Sequence, residues 1–344
     1  MNDLVARIEA ARINDPLALV EHSVFGVTDS EEIASAIEAW CRANLGSGVR
    51  SAWMFAVSVG CVAGLELDDA RRVVVKAYPP DRGEARLNAM AAIQNVAADG
   101  GLPVPRPIDA PARIGPGWAT AETALDVGRH PDLLRSPDRE TAATGWVRLV
   151  DALRDSAGLL RDSGCSPPRV VDGLYPLPHS PVFDFEATGA RAEWIDSLAT
   201  AATAITAGLD APETVIHCDW RGDNIRVSTD GRELVAIYDW DSVRVHREAI
   251  ALGEVAAMHS IDWSNGDPYF ATAAECVRFA QSVEDARPQR FTAGEWSAIR
   301  AAIVFGWCYT ARCEHAWTFV GPDKPQFGMR ARLRAEGALL LDQR

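Results

Sequence analysis

The sequence predicts an α+β fold of two lobes, with a small antiparallel sheet in the N-terminal part and a larger, mainly helical C-terminal part. The chain has 344 residues, which is enough for two lobes that each bury a core. Apolar, β-branched runs occur before residue 128, whereas helical periodicity dominates after residue 139. We therefore expect an N-terminal lobe over 1–127, made of a helical extension (1–43) and a sheet (44–127), and a C-terminal lobe over 128–344.

Local patterns place the elements of the first lobe. Ile33, Ile37 and Trp40 recur at helical spacing behind Asp29 or Ser30, either of which can cap that helix. Gly100-Gly101 ends a later helix, and the stretch after it is extended and rich in proline. The predicted elements are two antiparallel strands over 52–62 and 72–78, a helix over about 82–98 and a strand over 118–127.

The second lobe is predicted to be mostly helical. Trp146, Leu149 and Leu153 mark an amphipathic segment from 139 onward. An Asp230-Gly231 pair between two apolar runs is typical of a β-hairpin. The remaining predicted elements are a helix over 191–207, a short strand over 214–216, hairpin strands over 225–227 and 233–238, and several helices over 246–344.

Composition excludes several classes of protein. The formal net charge of −14 argues against a nucleic-acid partner, which would require clustered Lys and Arg. No apolar run approaches the roughly 20 residues of a membrane span, and Met1-Asn2-Asp3-Leu4 lacks the pattern of a secretory signal. The seven cysteines are odd in number and scattered, which indicates reduced thiols. We expect a cytoplasmic protein.

The segment from His217 to Asn224, followed by Asp239, carries the strongest functional signal. Asp219 and Asn224 stand in an H-x-D-x-x-x-x-N pattern, and Asp239 ends an apolar run. A carboxylate can accept the proton of a hydroxyl group, and amide and carboxylate oxygens are ligands for magnesium. These are the groups that ATP-dependent phosphoryl transfer requires. The pattern predicts a kinase that acts on a small molecule.

Lysine is rare in this chain, which draws attention to Lys76. Arginine is used almost throughout, and the one other lysine is Lys324, in a proline-flanked segment. Lys76 sits in the apolar run Val73-Val74-Val75-Lys76, which reads as a buried strand. Because burying an ammonium group is costly, this position calls for an anionic partner.

Together these motifs resemble the aminoglycoside phosphotransferase and choline kinase family, which has a protein-kinase-like fold. Leu102-Pro103-Val104-Pro105 and Asp239-Trp240 are also typical of that family, and the resemblance covers roughly residues 44–256. It implies that Asp219 is the catalytic base, that Asn224 and Asp239 bind Mg²⁺, and that Lys76 binds the nucleotide phosphates. It further implies ATP, or GTP, bound near residues 122–128, with a hydroxyl of a small metabolite or antibiotic as acceptor.

Other residues carry roles that the resemblance implies less directly. Glu84 is the acid expected to orient Lys76, or else a solvated glutamate in the first turn of a helix. Arg221 contacts the γ-phosphate or faces the surface or the substrate. Gly48 and Ser51 belong to a phosphate-covering loop over 46–51, or to a plain turn. Asp241 binds a second magnesium or caps the following helix.

The segment from Trp307 to Trp317 is aromatic and polar on a predicted helix. In the family this part of the fold supplies the acceptor pocket, so Tyr309, Glu314 and His315 are candidates to face the substrate. The alternative is a core helix whose few polar groups are hydrogen-bonded within the protein.

Two other functions stay open on the sequence. The first is a nucleotide-binding module that has lost phosphoryl transfer, which the irregular glycine loop and the distant Glu84 leave open but the intact Asp219, Asn224 and Asp239 argue against. The second is a metal-dependent phosphohydrolase, which would need more histidine ligands than His217 and His246 provide. A kinase should work with magnesium alone, whereas such a hydrolase should favour a transition metal and need no nucleotide. Neither the acceptor nor the oligomeric state follows from the sequence.

Overall fold

Three helices cover the N-terminal segment of the computed structural model, which describes residues 2–12, 18–161, 170–171, 173–178, 183–263, 269–320 and 328–343. They are α1 (Asn2–Ala11), α2 (Leu19–Phe25) and α3 (Ser30–Leu45). Asp29 caps α3, because its side chain accepts hydrogen bonds from the backbone N–H groups of Glu31 and Glu32. The buried face of α3 includes Ile33, Ile37 and Trp40, as the helical spacing predicts. Lys324 and Cys165 lie outside the described residues.

A five-stranded antiparallel sheet follows, with strand order β1-β2-β3-β5-β4. Its strands are β1 (Val49–Val57), β2 (Cys61–Leu67), β3 (Arg72–Tyr78), β4 (Ala112–Ile114) and β5 (Gly117–Thr123), and helix α4 (Glu84–Asp99) stands between β3 and β4. The run predicted as one strand over 52–62 is in fact two, since the chain turns at Ser58 to Gly60. Together with α1 to α3, this sheet encloses an apolar core. The predicted antiparallel sheet is confirmed.

Most of the remaining chain is helical. The helices are α5 (Asp138–Ala152), α6 (Ala157–Arg161), α7 (Glu193–Ala207), α8 (Glu248–Met258), α9 (Ala273–Ala286), α10 (Ala293–Val320), α11 (Met329–Arg332) and α12 (Ala338–Asp342), the last two joined by a π-helical turn. Short strands form three antiparallel pairs: β6 (Val170–Val171) with β7 (Tyr175–Pro176), β8 (Glu213–His217) with β11 (Val243–Arg247), and β9 (Ile225–Val227) with β10 (Leu234–Ile237). The α+β class is confirmed. Strand β11 was not predicted, and its last two residues fall in the region over 246–344 that we had predicted to be helical.

Contacts between residues divide the described chain into two compact units. The first comprises Met1–Asp99 and Val104–Asp126, and the second comprises Gly100–Pro103, Val127–Arg161 and the described part of Cys165–Arg344. The largest fully buried side chains of the second unit include Trp146, Trp220, Trp240 and Trp307. Among the helices of the described ranges, none combines the length and the apolar character that a membrane crossing requires.

The β9–β10 hairpin shows why its turn needs glycine. Gly231 has a φ of 72°, a left-handed conformation that glycine adopts without strain. A Cβ atom at this position would lie 1.9 Å from Oδ1 of Asp138. Asp138 is held there by the guanidinium group of Arg129, at 2.6 Å and 2.8 Å. The predicted Asp230-Gly231 turn is confirmed, and it packs against the start of α5.

Buried His259 should make the stability of the protein depend on pH. Its side chain is fully buried after α8, with Nδ1 2.7 Å from the carbonyl oxygen of Ala256 and the ring stacked on Phe279. Burial lowers the pKa of His259 from 6.5 to about 4, although the Ala256 carbonyl and Glu275 oppose this shift. Since the unfolded chain then takes up a proton that the folded chain does not, stability is full above pH 6.5 and falls as the pH approaches 4.

We expect the free energy of unfolding to fall by about 2 kcal/mol more in the wild type than in His259→Asn between pH 7.5 and pH 5. Asparagine keeps a side-chain N–H group that can reach the Ala256 carbonyl, but it does not titrate in this range. Urea unfolding at the two pH values measures the difference. Equal losses in the two proteins would show that His259 does not contribute to the pH dependence.

Candidate active site

The predicted catalytic loop begins where strand β8 ends. Asp219 lies two residues beyond His217, at the end of the strand. Its side chain is 28% exposed, so a substrate can reach the carboxylate. Nδ2 of Asn224 donates to Oδ2 of Asp219 at 2.7 Å and to the Asp219 carbonyl oxygen at 2.9 Å. The structure thus brings the predicted base and a predicted metal ligand into direct contact. Because Nδ2 is engaged with Asp219, Oδ1 is the atom of Asn224 that can ligate a cation.

His217 connects this loop to the segment that carries Asp239. The imidazole is fully buried, and its Nε2 lies 2.7 Å from the carbonyl oxygen of Tyr238. Its Nδ1 accepts the backbone N–H of Asp219 at 3.3 Å. Nε2 therefore carries the proton and Nδ1 is the acceptor, in a neutral ring. His217 therefore has a structural role, since it holds the backbone of Tyr238 and of Asp219.

Asp239 stands two residues after the end of strand β10, in a strained backbone conformation. Its φ of 61° and ψ of 58° lie in the left-handed region, which is uncommon for a residue other than glycine. The preceding residue, Tyr238, donates its backbone N–H to the carbonyl oxygen of Asn224 at 2.8 Å. The hairpin therefore sets Asn224 just before β9 and Asp239 just beyond β10, at the same end of the two strands. One amide oxygen and one carboxylate suit Mg²⁺, which takes few protein ligands and prefers oxygen. Asp241 lies in the short 3-10 turn Trp240–Ser242.

Arg221 is bound to two carboxylates. Its Nε atom lies 2.8 Å from Oδ1 of Asp219 and 3.2 Å from Oδ1 of Asp223. Asp223, which we had not assigned a role, is only 11% exposed and accepts the backbone N–H of Trp263 at 3.4 Å. Burial raises the pKa of the Asp223 carboxyl group, and Asp219 adds to the rise while Arg221 opposes it. Arg221 therefore offsets the negative charge of two neighbouring acids.

Lys76 is buried in strand β3, as predicted, but its partner differs from the prediction. Nζ of Lys76 lies 3.4 Å from Oε1 of Glu122 on strand β5. Glu84, the predicted partner, is exposed at the first residue of α4. No local pattern marks Glu122 as the partner of Lys76, because the contact depends on the pairing of β3 with β5. The assignment of Glu84 to Lys76 is replaced by Glu122.

The predicted phosphate-covering loop over 46–51 does not connect two strands of the sheet. Gly48 and Ser51 lie at the junction of α3 and β1, and Ser51 pairs with Glu66 inside the sheet. The turn between β1 and β2 is instead Ser58-Val59-Gly60, where the Ser58 N–H donates to the Gly60 carbonyl oxygen at 2.9 Å. A Cβ atom on Gly60 would lie 2.6 Å from the carbonyl oxygen of Ala77, so only glycine fits there. Gly60 was the signal in the sequence that could have revealed this turn.

The polar residues of α10 contact the protein itself. Glu314 accepts the backbone N–H groups of Gly328 and Arg330 at 2.7 Å and 2.8 Å, which satisfies the N-terminus of α11. His315 places Nε2 3.0 Å from the carbonyl oxygen of Ala190, and burial lowers its pKa. Tyr309 packs edge-on against Phe185, with ring centroids 5.6 Å apart. These contacts favour the core alternative over a role for Glu314 and His315 in binding the acceptor.

Solved structures of small-molecule kinases share this fold. Amicoumacin kinase hAmiN, in complex with AMP-PNP, Ca²⁺ and Ami, is 12% identical, with a TM-score of 0.58 over 85% of this chain and 88% of its own. Spectinomycin phosphotransferase APH(9)-Ia, in complex with ADP and spectinomycin, is 11% identical, with a TM-score of 0.54 over 88% and 98%. A choline/ethanolamine kinase family protein from Mesorhizobium loti is 13% identical, with a TM-score of 0.53 over 90% and 95%.

At these identities the likeness establishes the fold and not the substrate. A comparison of this sequence with those of curated proteins found no match. Residues 65–249, which include Lys76, Glu122, Asp219, Asn224 and Asp239, match the family described as phosphotransferase enzyme family (APH). This match covers more than half of the chain, and the protein therefore belongs to the phosphotransferase enzyme family.

Proposed function

We propose that this protein transfers the γ-phosphate of ATP, or of GTP, to a hydroxyl group of a small metabolite or antibiotic, with Mg²⁺ as cofactor. The observation that carries the proposal is the contact between Asp219 and Asn224, with Nδ2 2.7 Å from Oδ2. It holds a partly exposed carboxylate next to an amide oxygen suited to magnesium. Phosphoryl transfer requires this combination of a base for the hydroxyl and a cation beside the phosphates.

Each site residue has a defined task in this reaction. Asp219 orients the acceptor hydroxyl and takes its proton as the bond to phosphorus forms. Asn224 holds Asp219 in place through Nδ2 and, with Asp239, provides oxygen ligands for Mg²⁺. When bound, the metal ion neutralises charge on the phosphate groups. Most of the acceleration then comes from positioning and from charge stabilisation.

Lys76 and Arg221 provide the positive charge. Lys76 contacts the α- and β-phosphates of the nucleotide. Arg221 engages Asp219 and Asp223 through Nε, and a guanidinium group has further N–H donors on its two terminal nitrogens. We assign those terminal donors to the γ-phosphate, which is the negatively charged group that is transferred. The relatives that bind AMP-PNP or ADP support a nucleotide as the donor.

Transfer of labelled phosphate tests the proposal. The protein is incubated with γ-labelled ATP, Mg²⁺ and a panel of hydroxylated metabolites and antibiotics, with the Asp219→Asn variant alongside. A labelled organic product that the variant does not form would establish the kinase and identify the class of its acceptor. ATP binding without transfer to any member of a broad panel would support a binding module that has lost transfer. Phosphate release that needs a transition metal and no nucleotide would support the hydrolase.

Substitution of Lys76 by alanine should weaken productive nucleotide binding. A hydrogen bond to a charged group contributes about 1.5–3 kcal/mol, so we expect the KM for ATP to rise by about tenfold or more. Steady-state kinetics at varied ATP measures the change. Arg72→Ala is the matched control, because Arg72 begins the same strand but is exposed and pairs with Asp126. An unchanged KM and kcat in Lys76→Ala would remove Lys76 from the site.

A further inference from the structure

Three side chains of the first unit form a buried polar group around Lys76. Lys76, Glu122 and Gln94 are 8%, 7% and 5% exposed. Oε1 of Glu122 lies 3.4 Å from Nζ of Lys76, while Oε2 accepts a hydrogen bond from Nε2 of Gln94 at 2.9 Å. Gln94 also donates to the carbonyl oxygen of Pro105 at 2.6 Å. The two oxygens of one carboxylate are thus divided between a lysine on β3 and a glutamine on α4.

The sheet itself sets the distance between Lys76 and Glu122. In the antiparallel pairing of β3 with β5, Lys76 is opposite Thr120 and Val74 is opposite Glu122. Glu122 is therefore the diagonal neighbour of Lys76 on the same face of the sheet, a distance that long side chains span. The backbone hydrogen bonds between the two strands fix this geometry.

Helix α4 contributes an amide and no buried acid to this group. The acids within Glu84–Asp99 are its first and last residues. Glu84 is exposed, and Asp99 is exposed and pairs with Arg106 at 2.9 Å. Gln94 lies on the buried face of the helix and donates its hydrogen bond to the carboxylate of the ion pair. An amide can hold a carboxylate by hydrogen bonding but cannot neutralise an ammonium group.

We propose that Glu122 is the residue that positions Lys76 for the nucleotide phosphates, and that Gln94 holds Glu122 in place. A buried ammonium group needs a fixed anion when no phosphate is bound, and Glu122 provides it. An ammonium group has three donors, so contact with one carboxylate oxygen is compatible with contact to phosphate oxygens. The roles of Glu122 and Gln94 rest on the proposed function, but nucleotide binding tests them without any knowledge of the acceptor.

The experiment is a double-mutant cycle measured by calorimetric binding of ADP with Mg²⁺. The variants are Glu122→Gln, Lys76→Met and the double variant, each checked by thermal unfolding. We expect Glu122→Gln to raise the Kd for ADP by about tenfold in the wild-type background, a usual size for coupled contacts. In the Lys76→Met background the same change should alter the Kd by less than about twofold, because Glu122 acts through Lys76.

Several variants sharpen the interpretation. Gln94→Leu should also raise the Kd for ADP, but by less than Glu122→Gln does. It replaces Glu122→Gln in the test if that variant fails to fold. Asp99→Asn is the control for loss of an acid from α4. If Glu84 were the partner of Lys76, Glu84→Gln would cause the loss and Glu122→Gln would not, which would overturn the proposal. An equal effect of Glu122→Gln with and without Lys76 would overturn it too.

The two proposals fail in distinguishable ways. ADP binding that depends on Glu122, without phosphoryl transfer to any acceptor, would contradict the proposed function alone. Transfer that proceeds with unaltered ADP binding and KM in Glu122→Gln would contradict the positioning role alone. A wild-type protein that binds no nucleotide would contradict both.

Discussion

Replacement of Asp219 by asparagine should lower kcat by at least about a hundredfold, since general base catalysis contributes about 10²–10⁴-fold. Asparagine has nearly the same shape, and its side-chain oxygen can still accept the hydrogen bond that Nδ2 of Asn224 donates to Asp219 at 2.7 Å, so that only the ion pair of Oδ1 with Arg221 is lost. The loop should therefore keep its conformation, while the group that takes the proton is lost. Binding of ADP with Mg²⁺ should persist, because Lys76 and Asp239 are unchanged.

The measurement compares single-turnover transfer with ADP binding in the same variant. Asp230→Asn is a matched control, since Asp230 lies exposed in the β9–β10 turn and contacts Ser228. A turnover within a few-fold of the wild type would exclude Asp219 as the base. Loss of both transfer and nucleotide binding would mean instead that the Asp219 carboxylate is needed to build the loop.

The second large effect is expected at Asp239. A metal ion that neutralises phosphate charge contributes several kcal/mol, so the loss of a carboxylate ligand should lower kcat by about a hundredfold or more. Asparagine tolerates the left-handed conformation at a φ of 61°, and glycine adopts it freely. Neither Asp239→Asn nor Asp239→Gly should therefore lower the melting temperature markedly.

Turnover measured over a range of Mg²⁺ concentrations tests this expectation. Asp239→Asn should require more Mg²⁺ for half-maximal turnover than the wild type, whereas Asp219→Asn should require about the same. An unchanged dependence on Mg²⁺ in Asp239→Asn would exclude Asp239 as a ligand.

Much of the candidate site follows from local sequence, and the rest depends on tertiary structure. The β9–β10 hairpin is predictable because a strong turn signal joins two apolar runs and because Asn224 and Asp239 flank it. The turn at Ser58 to Gly60 was missed, since the run over 52–62 is apolar on both sides of a single glycine. Glu122 was missed for a different reason. Its contact with Lys76 depends on which strands pair and in which register, and sequence periodicity does not specify either.

The ion pair between Lys76 and Glu122 has a consequence for regulation. In protein kinases the strand lysine pairs with an acid on a mobile helix, and movement of that helix turns activity on and off. Here both partners belong to adjacent strands, and separating them would require the backbone hydrogen bonds between β3 and β5 to break. A rotation of α4 would release a glutamine and leave the charges together. In the proposed kinase, movement of α4 would therefore leave the pair of Lys76 and Glu122 intact, because the two residues belong to paired strands and not to the helix.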